Sequence, residues 1–328
     1  MGEKQMIEWL FERFSVPAGI FDALLILWTF GVTIACLKLF RKLLPHDGGR
    51  DFAFNGKLSK GKLRGAGIIF ISVFVLTALL FIRFSPEYLA YYALVFLSML
   101  SGYLDDRAKK PWGEYKKGLI DLILCLATAA VFVWFNPDLC SVGITSWTLE
   151  IPRWLFALIL TVFFWLMINA TNCSDGIDGY CGSLSIVVLL SLCLVGRLVG
   201  MNGGFQHLAL MMILVIGAYL WYNCEPSTML MGDAGSRAIG LFIGIAVAQT
   251  GNILLSIPLC FVILLDGLLG IVKVSLIRFL KIKAFQNIRT PLHDHFRMKK
   301  NWSNTQVIFR SILIQCVLSG IVIALMRI

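Results

Sequence analysis

The stretch "MINATNCSDGIDGYCGS", residues 167–183, is the point where an apolar segment ends and a polar loop begins. Two amides and two acids follow one another there: Asn169, Asn172, Asp175 and Asp178. An ordinary turn between helices uses Asn, Asp and Gly as well, but four such side chains in so short a link favour a binding function. The interspersed glycines allow the close backbone approach that a ligand-binding loop requires.

The rest of the chain has the composition of an integral membrane protein. Of its 328 residues, 58% are hydrophobic and 15% are charged, and its mean hydropathy is +0.82. Soluble proteins contain about 25% charged residues, and no long stretch here reaches that. We therefore predict one polytopic membrane domain over residues 1–328. The net charge of +10 suggests loops that face anionic lipid or an anionic substrate. Nucleic acid is not expected as a partner, since the basic residues lie between apolar segments.

Apolar segments of the length that a membrane-spanning helix needs, about 20 residues, recur along the chain. They predict an all-α protein with about ten transmembrane helices, at residues 18–44, 65–82, 88–104, 117–135, 154–170, 183–196, 207–222, 237–250, 253–280 and 306–326. The ninth segment turns polar after Lys273, so it should extend beyond the bilayer. Alternation in "SVGITSWTLEIP", residues 141–152, predicts a short hairpin outside the membrane.

Lysine and arginine are concentrated in alternate loops. Seven lie in residues 41–64, five in 107–117 and seven in 278–300, whereas the intervening loops hold only Arg83, Arg153 and Arg197. The positive-inside rule then predicts both termini outside and cytoplasmic loops at about 45–64, 105–116, 171–182, 223–236 and 281–305.

All the unusual polar clusters fall in these cytoplasmic loops, which predicts an active site at the cytoplasmic face. A transporter or channel is expected to carry charges along a path through the bilayer. Asp266 and Lys273, in the ninth segment, are exceptions. They are seven residues apart and so share one helical face, where they are packed or paired.

Acidic residues stand at two further loops. Asp105 and Asp106 end the third segment, and adjacent carboxylates repel unless a cation or a metal ion lies close. A solvated charged loop is the simpler alternative. Asp233 follows the apolar "TMLM" and should be partly buried, where an unpaired carboxylate is costly. A metal ion would remove that cost.

The last cytoplasmic loop contains two of the four histidines, His293 and His295, on either side of Asp294. Such a pair can ligate zinc, but no third ligand is evident, and the surrounding bases fit phosphate contact better. An exposed polar loop is the alternative. Acids and bases together predict Mg²⁺ held by few carboxylates plus substrate phosphates, in a lipid-linked phosphoryl reaction.

Four segments carry a family resemblance: "GYLDDRAKK", "NATNCSDGIDG", "MGDAGS" and "PLHDHFRMKKNW". In order and loop position they resemble the polyprenyl-phosphate N-acetylhexosamine-1-phosphate transferases, in the muramoyl-pentapeptide branch. The resemblance implies a multi-pass enzyme of the bacterial inner (plasma) membrane that is typically a homodimer. It would transfer phospho-N-acetylmuramoyl-pentapeptide from UDP-N-acetylmuramoyl-pentapeptide to undecaprenyl phosphate, with Mg²⁺ as cofactor, and form lipid I and UMP in peptidoglycan synthesis.

The resemblance also implies catalytic residues. Asp105 and Asp106 match an Asp-Asp pair whose first member is the candidate for activating the lipid phosphate. Asp233 matches a magnesium-ligating aspartate. Lys117, with Lys116 as the alternative, matches a lysine near the diphosphate. His293 matches the first histidine of a loop triplet.

The substrate-binding residues implied in the same way are Asn172, Asp175, Gly176, Ile177, Asp178, Asn223, His295 and Lys57. Residues 176–178 match a segment that lines the uracil pocket, and Lys57 is the candidate uracil-binding lysine. The sequence departs from the family pattern at three positions. Asp294 replaces the middle histidine of the triplet, Leu230 replaces an aromatic residue, and Arg297 replaces an acid.

Three alternatives remain at the level of sequence. A sister enzyme that transfers N-acetylglucosamine-1-phosphate shares the aspartate motifs, although "TPLHDHF" followed by "KKNW" favours the muramoyl type. A transporter and a catalytically inactive lipid-binding relative are the others. Two mechanisms are open as well: direct attack by the lipid phosphate, or a covalent phospho-aspartate intermediate.

Overall fold

The computed structural model describes residues 17–49, 59–108, 110, 112–144, 147–282, 285 and 287–327, and the fold is 76% helical. In these parts of the chain the α-helices are α1 (Ala18–Phe40), α2 (Gly67–Phe81), α3 (Pro86–Asp106), α4 (Glu114–Phe135), α5 (Arg153–Cys173), α6 (Tyr180–Leu198), α7 (Gly203–Asn223), α8 (Gly232–Ala248), α9 (Ser256–Leu259), α10 (Phe261–Phe279), α11 (Leu292–Lys299) and α12 (Asn304–Leu325). The strands are β1 (Leu63–Arg64), β2 (Ser141–Ile144), β3 (Trp147–Glu150) and β4 (Met229–Leu230).

Each of the ten segments that the sequence predicts as membrane spans is largely helical. Six helices in the described part of the chain are long and apolar enough to cross a membrane, namely α1, α4, α5, α6, α7 and α12. The bent pair formed by residues 253–259 and α10 is a seventh if it counts as one span. The protein is therefore an all-α, multi-pass membrane protein, and the count of ten spans stays a prediction.

Several helix ends follow from local sequence. Pro86 is the first residue of α3, where its missing N–H leaves no hydrogen bond unmade. The Asn202 side chain accepts a hydrogen bond from the Gly204 N–H and caps α7. Ser303 and Gln306 form a reciprocal capping box at the start of α12.

Helix α8 is the centre of the fold, because every one of its residues is buried. Small residues let the backbones of neighbouring helices approach it closely. A Cβ on Gly67 of α2 would lie 2.1 Å from the Gly235 backbone N, and a Cβ on Gly102 of α3 would lie 2.3 Å from the Asp233 carbonyl O. Only glycine fits at Gly67 and Gly102, and the N-terminus of α8 is thereby held against α2 and α3.

The predicted ninth span is broken, since the helices on either side of Cys260 meet at 95°. The break leaves backbone groups without helical partners, and unsatisfied groups are costly inside a membrane. Gln315 of α12 supplies those partners. Its amide N–H₂ donates to the carbonyls of Pro258 and Leu259, and its side-chain O accepts from the Val262 N–H. Gln315 is itself fully buried.

Two small strand pairs connect distant parts of the chain. β1 and β4 pair in parallel, with Leu63 opposite Met229 and Arg64 opposite Leu230, and so bring the end of the segment between α1 and α2 to the start of α8. β2 and β3 form an antiparallel hairpin, which confirms the hairpin predicted for residues 141–152.

We expect Gly240→Ala to lower stability, because a Cβ there would lie 2.7 Å from the Met167 carbonyl O of α5. The cost of such overpacking is about 1–3 kcal/mol. Gly320→Ala is the matched control, since Gly320 also lies mid-helix and has no atom within 4 Å of its Cβ position. Thermal denaturation in detergent, followed by size-exclusion chromatography, should show a lower midpoint for Gly240→Ala only. Equal midpoints for both variants would contradict the tight contact between α5 and α8.

Candidate active site

The acidic residues that the sequence singles out meet where α3, α4 and α8 lie side by side. Asp105 and Asp106 end α3, Lys117 lies in the first turn of α4, and Asp233 lies in the first turn of α8. The Lys117 Nζ is 2.6 Å from Asp105 Oδ2 and 3.5 Å from Asp233 Oδ2. The Trp112 N–H donates to the other oxygen of Asp105 at 2.7 Å. The structure therefore brings together four of the five predicted catalytic residues, whose roles stay predictions.

Arg64 is a member of this cluster that the sequence did not single out. Its guanidinium contacts three carboxylates: Nε lies 2.8 Å from Asp106 Oδ1, and its terminal nitrogens lie 3.1 Å from Asp47 Oδ1 and 3.3 Å from Asp233 Oδ1. In the sequence, Arg64 is one of seven basic residues in a loop. Only the pairing of β1 with β4 places it beside Asp233, and no local pattern predicts that pairing.

Burial and ion pairing shift the pKa values of Asp106 and Asp233 in opposite directions. Burial raises the pKa of Asp106, and the neighbouring Asp233 raises it further, although Arg64 and the Ala234 N–H oppose the shift. Burial also acts on Asp233, but Lys117, Arg64 and Arg237 outweigh it and hold its pKa below the usual range. Asp233 is thus ionised at neutral pH, as a cation ligand must be.

A second ion pair joins α4 to α8. Asp121 lies one turn after Lys117, Arg237 lies one turn after Asp233, and these two buried residues pair with each other. The sequence interpretation named only Asp266 and Lys273 as charges inside predicted spans. Asp121 is a further one, within 117–135, and its position four residues after Lys117 is the signal that could have identified it.

The loop between α5 and α6 contacts the segment between α1 and α2 through a lysine. The Lys62 Nζ lies 2.8 Å from Asp178 Oδ2 and 2.8 Å from the Ser227 hydroxyl. The Ser227 N–H donates to the same oxygen of Asp178, and the neighbouring Ile177 is buried. The predicted Lys57 lies outside the described residues. Lys62, from the same segment between α1 and α2, is the lysine that contacts Asp178.

Asn223 holds two loops together. Its side-chain O accepts a hydrogen bond from the Gly179 N–H at 2.8 Å, and its amide donates to the Met229 carbonyl at 2.8 Å. Asn172 lies closer to the acidic cluster, where its amide donates to the Ser236 hydroxyl at 2.9 Å. The Asn172 side chain also hydrogen-bonds the Asp233 carboxylate, whereas Asn223 fixes the loop that contains Gly179.

His293 is fixed by an acid from within the ninth predicted span. Asp266 accepts from the His293 backbone N–H at 2.8 Å and contacts its Nδ1 at 2.8 Å, and both residues are buried. A Cβ on Gly176 would lie 2.1 Å from His293 Nε2, so the imidazole abuts the loop that contains Asp175. Lys273 donates to the Ile288 carbonyl at 2.7 Å. Asp266 and Lys273 thus each have a partner, His293 for Asp266 and the Ile288 carbonyl for Lys273.

Two residues at which the sequence departs from the expected pattern contact each other. Asp294 and Arg297 form a buried ion pair at 3.2 Å, one helical turn apart in α11. The Nδ1 of His295 accepts a hydrogen bond from the Arg289 N–H at 3.2 Å. Within the described ranges, no three His, Cys, Asp or Glu side chains are grouped to hold a metal ion.

Comparison with known proteins identifies the family. Residues 88–251 match the model of glycosyl transferase family 4. A phospho-N-acetylmuramoyl-pentapeptide-transferase of Treponema pallidum is 38% identical over 94% of this chain and 89% of its own length. The chain belongs to glycosyl transferase family 4.

Further relatives are similar over about three quarters or more of the chain. Enzymes with the same name are 29% identical in Sulfurimonas denitrificans, over 93% of this chain and 95% of theirs, and 32% identical in Petrotoga mobilis, over 74% and 77%. The segment that matches the family model runs from α3 to α8 and contains Asp105, Asp106, Lys117 and Asp233. Arg64 lies outside it.

The oxygen ligands of the cluster fit a magnesium ion. Mg²⁺ is commonly bound by one or two carboxylates, with substrate phosphates and water completing its coordination, so a set of three protein ligands is not required. Asp106 and Asp233 are bridged by the single guanidinium of Arg64, so their oxygens lie within the span of one small cationic group. That spacing, and the ionised state of Asp233, suit such an ion.

We expect Arg237→Met to destabilise the protein by about 3–5 kcal/mol, because it leaves Asp121 buried without its partner. The double variant Asp121→Leu/Arg237→Met should recover most of that loss, since both charges are then removed. Thermal midpoints in detergent for the four proteins of this cycle measure the coupling. Additive losses in the double variant would contradict a direct ion pair between α4 and α8.

Proposed function

We propose that this protein transfers phospho-N-acetylmuramoyl-pentapeptide from UDP-N-acetylmuramoyl-pentapeptide to undecaprenyl phosphate, which yields lipid I and UMP. The observation that carries the proposal is the convergence of Asp105, Asp106 and Asp233 with Lys117 and Arg64 at one end of the helices. The names of its relatives in Treponema, Sulfurimonas and Petrotoga support the substrate.

The proposed reaction makes one phosphorus–oxygen bond and breaks one. An oxygen of the lipid phosphate attacks the β-phosphorus of the nucleotide sugar, and the bridging oxygen leaves with the α-phosphate as UMP. Both candidate aspartates are already engaged, Asp105 with Lys117 and Asp106 with Arg64. We favour direct transfer, because an aspartate that attacked phosphorus itself would first have to leave its cation.

Each residue near the cluster has a proposed part in that step. Asp105 orients and deprotonates the lipid phosphate. Lys117, which lies between Asp105 and Asp233, offsets negative charge on the diphosphate oxygens. Asp233, with Asp106 beside it, would hold Mg²⁺, which would supply positive charge that offsets the negative charge of the transferred phosphoryl group.

The loops beside the cluster suit the nucleotide sugar. Asn172 contacts the first turn of α8 through Ser236, and His293 abuts Gly176. We propose that residues 175–178 bind the nucleotide, that Lys62 and Asn223 hold them in place, and that His293 contacts the phosphates. We assign His295 to the same substrate.

The membrane arrangement is proposed from the same features. All predicted catalytic residues lie on the side of the helix bundle where the basic loops lie, which the positive-inside rule predicts to be cytoplasmic. Trp134 and Trp154, at the opposite ends of α4 and α5, are 81% and 68% exposed, as interfacial tryptophans are. We propose a single domain with ten spans, both termini outside, in the inner membrane of a bacterium, and functioning as a homodimer.

We expect detergent-purified protein to release UMP when it is given undecaprenyl phosphate, Mg²⁺ and UDP-N-acetylmuramoyl-pentapeptide. Asp233→Asn and Asp105→Asn should each lower the rate at least about 100-fold, since each removes a charge at the reacting phosphates. EDTA should abolish UMP release. UDP-N-acetylglucosamine in place of the pentapeptide substrate tests the sister activity.

Three results would count against this proposal. UMP from UDP-N-acetylglucosamine only would keep the chemistry and change the pathway. No UMP from either substrate with folded protein would favour a transporter or an inactive relative. In sealed inside-out vesicles, which expose the cytoplasmic face, added nucleotide sugar should react, and reaction only in right-side-out vesicles would reverse the orientation.

A further inference from the structure

Arg64 lies where a metal-binding cluster would be expected to hold its metal. Its guanidinium bridges Asp106 and Asp233, with nitrogen–oxygen distances of 2.8 and 3.3 Å. These are the two acids that we propose to lie beside Mg²⁺. A guanidinium presents several N–H donors in a rigid plane and can satisfy two carboxylates at once.

The third carboxylate at Arg64 is held independently of the other two. Asp47 accepts hydrogen bonds from the Ser59 hydroxyl at 2.6 Å and from the Gly49 N–H at 3.1 Å through one oxygen, and it contacts Arg64 with the other. Asp47 is buried, so it is a fixed anion. Arg64 can therefore keep its contact with Asp47 while it gives up its contacts with Asp106 and Asp233.

We propose that Arg64 is a built-in cation that competes with the divalent metal ion for Asp106 and Asp233 and withdraws onto Asp47 when the metal binds. This inference rests on the proposed function, because it assumes a metal ion at Asp233. It adds a regulatory residue that the motifs from α3 to α8 do not include.

A physical consequence distinguishes this role from a purely structural one. If Arg64 competes with the metal, its removal frees two carboxylates and strengthens metal binding. If Arg64 only holds the aspartates in position, its removal lets them separate and weakens metal binding. The sign of the change in metal affinity therefore decides between the two roles.

The experiment measures Mn²⁺ binding to detergent-purified, full-length protein by the electron paramagnetic resonance signal of free Mn²⁺, without nucleotide or lipid. Arg64→Gln should lower the Kd for Mn²⁺ on the order of tenfold relative to wild type, because one positive charge leaves the two ligands. The Kd of Arg64→Lys should lie between those of wild type and Arg64→Gln, since an ammonium is a compact charge that cannot span both acids as a guanidinium does.

Lys62→Gln is the matched control. It removes a positive charge two residues away on the same segment, but Lys62 contacts Asp178 instead of Asp106 or Asp233. Its Kd for Mn²⁺ should stay within about twofold of wild type, since charges at a distance are screened. If Lys62→Gln gained as much Mn²⁺ affinity as Arg64→Gln, net charge and not direct competition would explain the effect, and the inference would be wrong.

The remaining outcomes separate this inference from the function itself. An unchanged or higher Kd in Arg64→Gln, with wild-type elution in size-exclusion chromatography, would overturn competition and leave the metal site standing. If Arg64→Gln does not fold, the direction of the change in the Kd for Mn²⁺ in Arg64→Lys decides between the two roles. No Mn²⁺ binding to any variant would overturn the inference, and UMP release would then test the transferase separately.

Discussion

The close approach of α3 to α8 is the constraint on which the site depends. Gly102 lies so near the Asp233 carbonyl that any side chain at residue 102 would overlap it. That contact places the C-terminal end of α3, with Asp105 and Asp106, beside the first turn of α8. Gly67 repeats the arrangement from α2 and brings β1 and Arg64 to the same place. The packing of small residues therefore decides where five charged side chains meet.

Once the helices are that close, the buried charges must be paired. Lys117 joins Asp105 to Asp233, Arg64 joins Asp106 to Asp233, and Arg237 pairs with Asp121 one turn further into the bundle. Buried ion pairs add little net stability because of the cost of desolvation, but the loss of one partner is expensive. The ion pairs thus favour one arrangement of α3, α4 and α8. They also hold the carboxylates of Asp105, Asp106 and Asp233 next to positively charged side chains.

Much of this architecture was predictable from the sequence, and the reasons for the rest are physical. Apolar length located a helix in every predicted segment, and the alternation of residues 141–152 gave the hairpin. The bend at Cys260 was not predicted, because the backbone groups there are satisfied by Gln315, more than fifty residues later. The position of Arg64 was not predicted for the same reason, because it depends on a strand pair between segments that are distant in sequence. Asp294 and Arg297, at two positions where the sequence departs from the expected pattern, pair with each other.

The most direct test of the central claim, that phosphoryl transfer takes place at the ends of α3, α4 and α8, is a cryo-electron microscopy map of the protein with Mg²⁺ and UDP-N-acetylmuramoyl-pentapeptide. The account predicts density for the diphosphate between Lys117 and Asp233, with the nucleotide against residues 175–178. Density for the diphosphate at the opposite end of the helices, near Arg83 and His207, would contradict it.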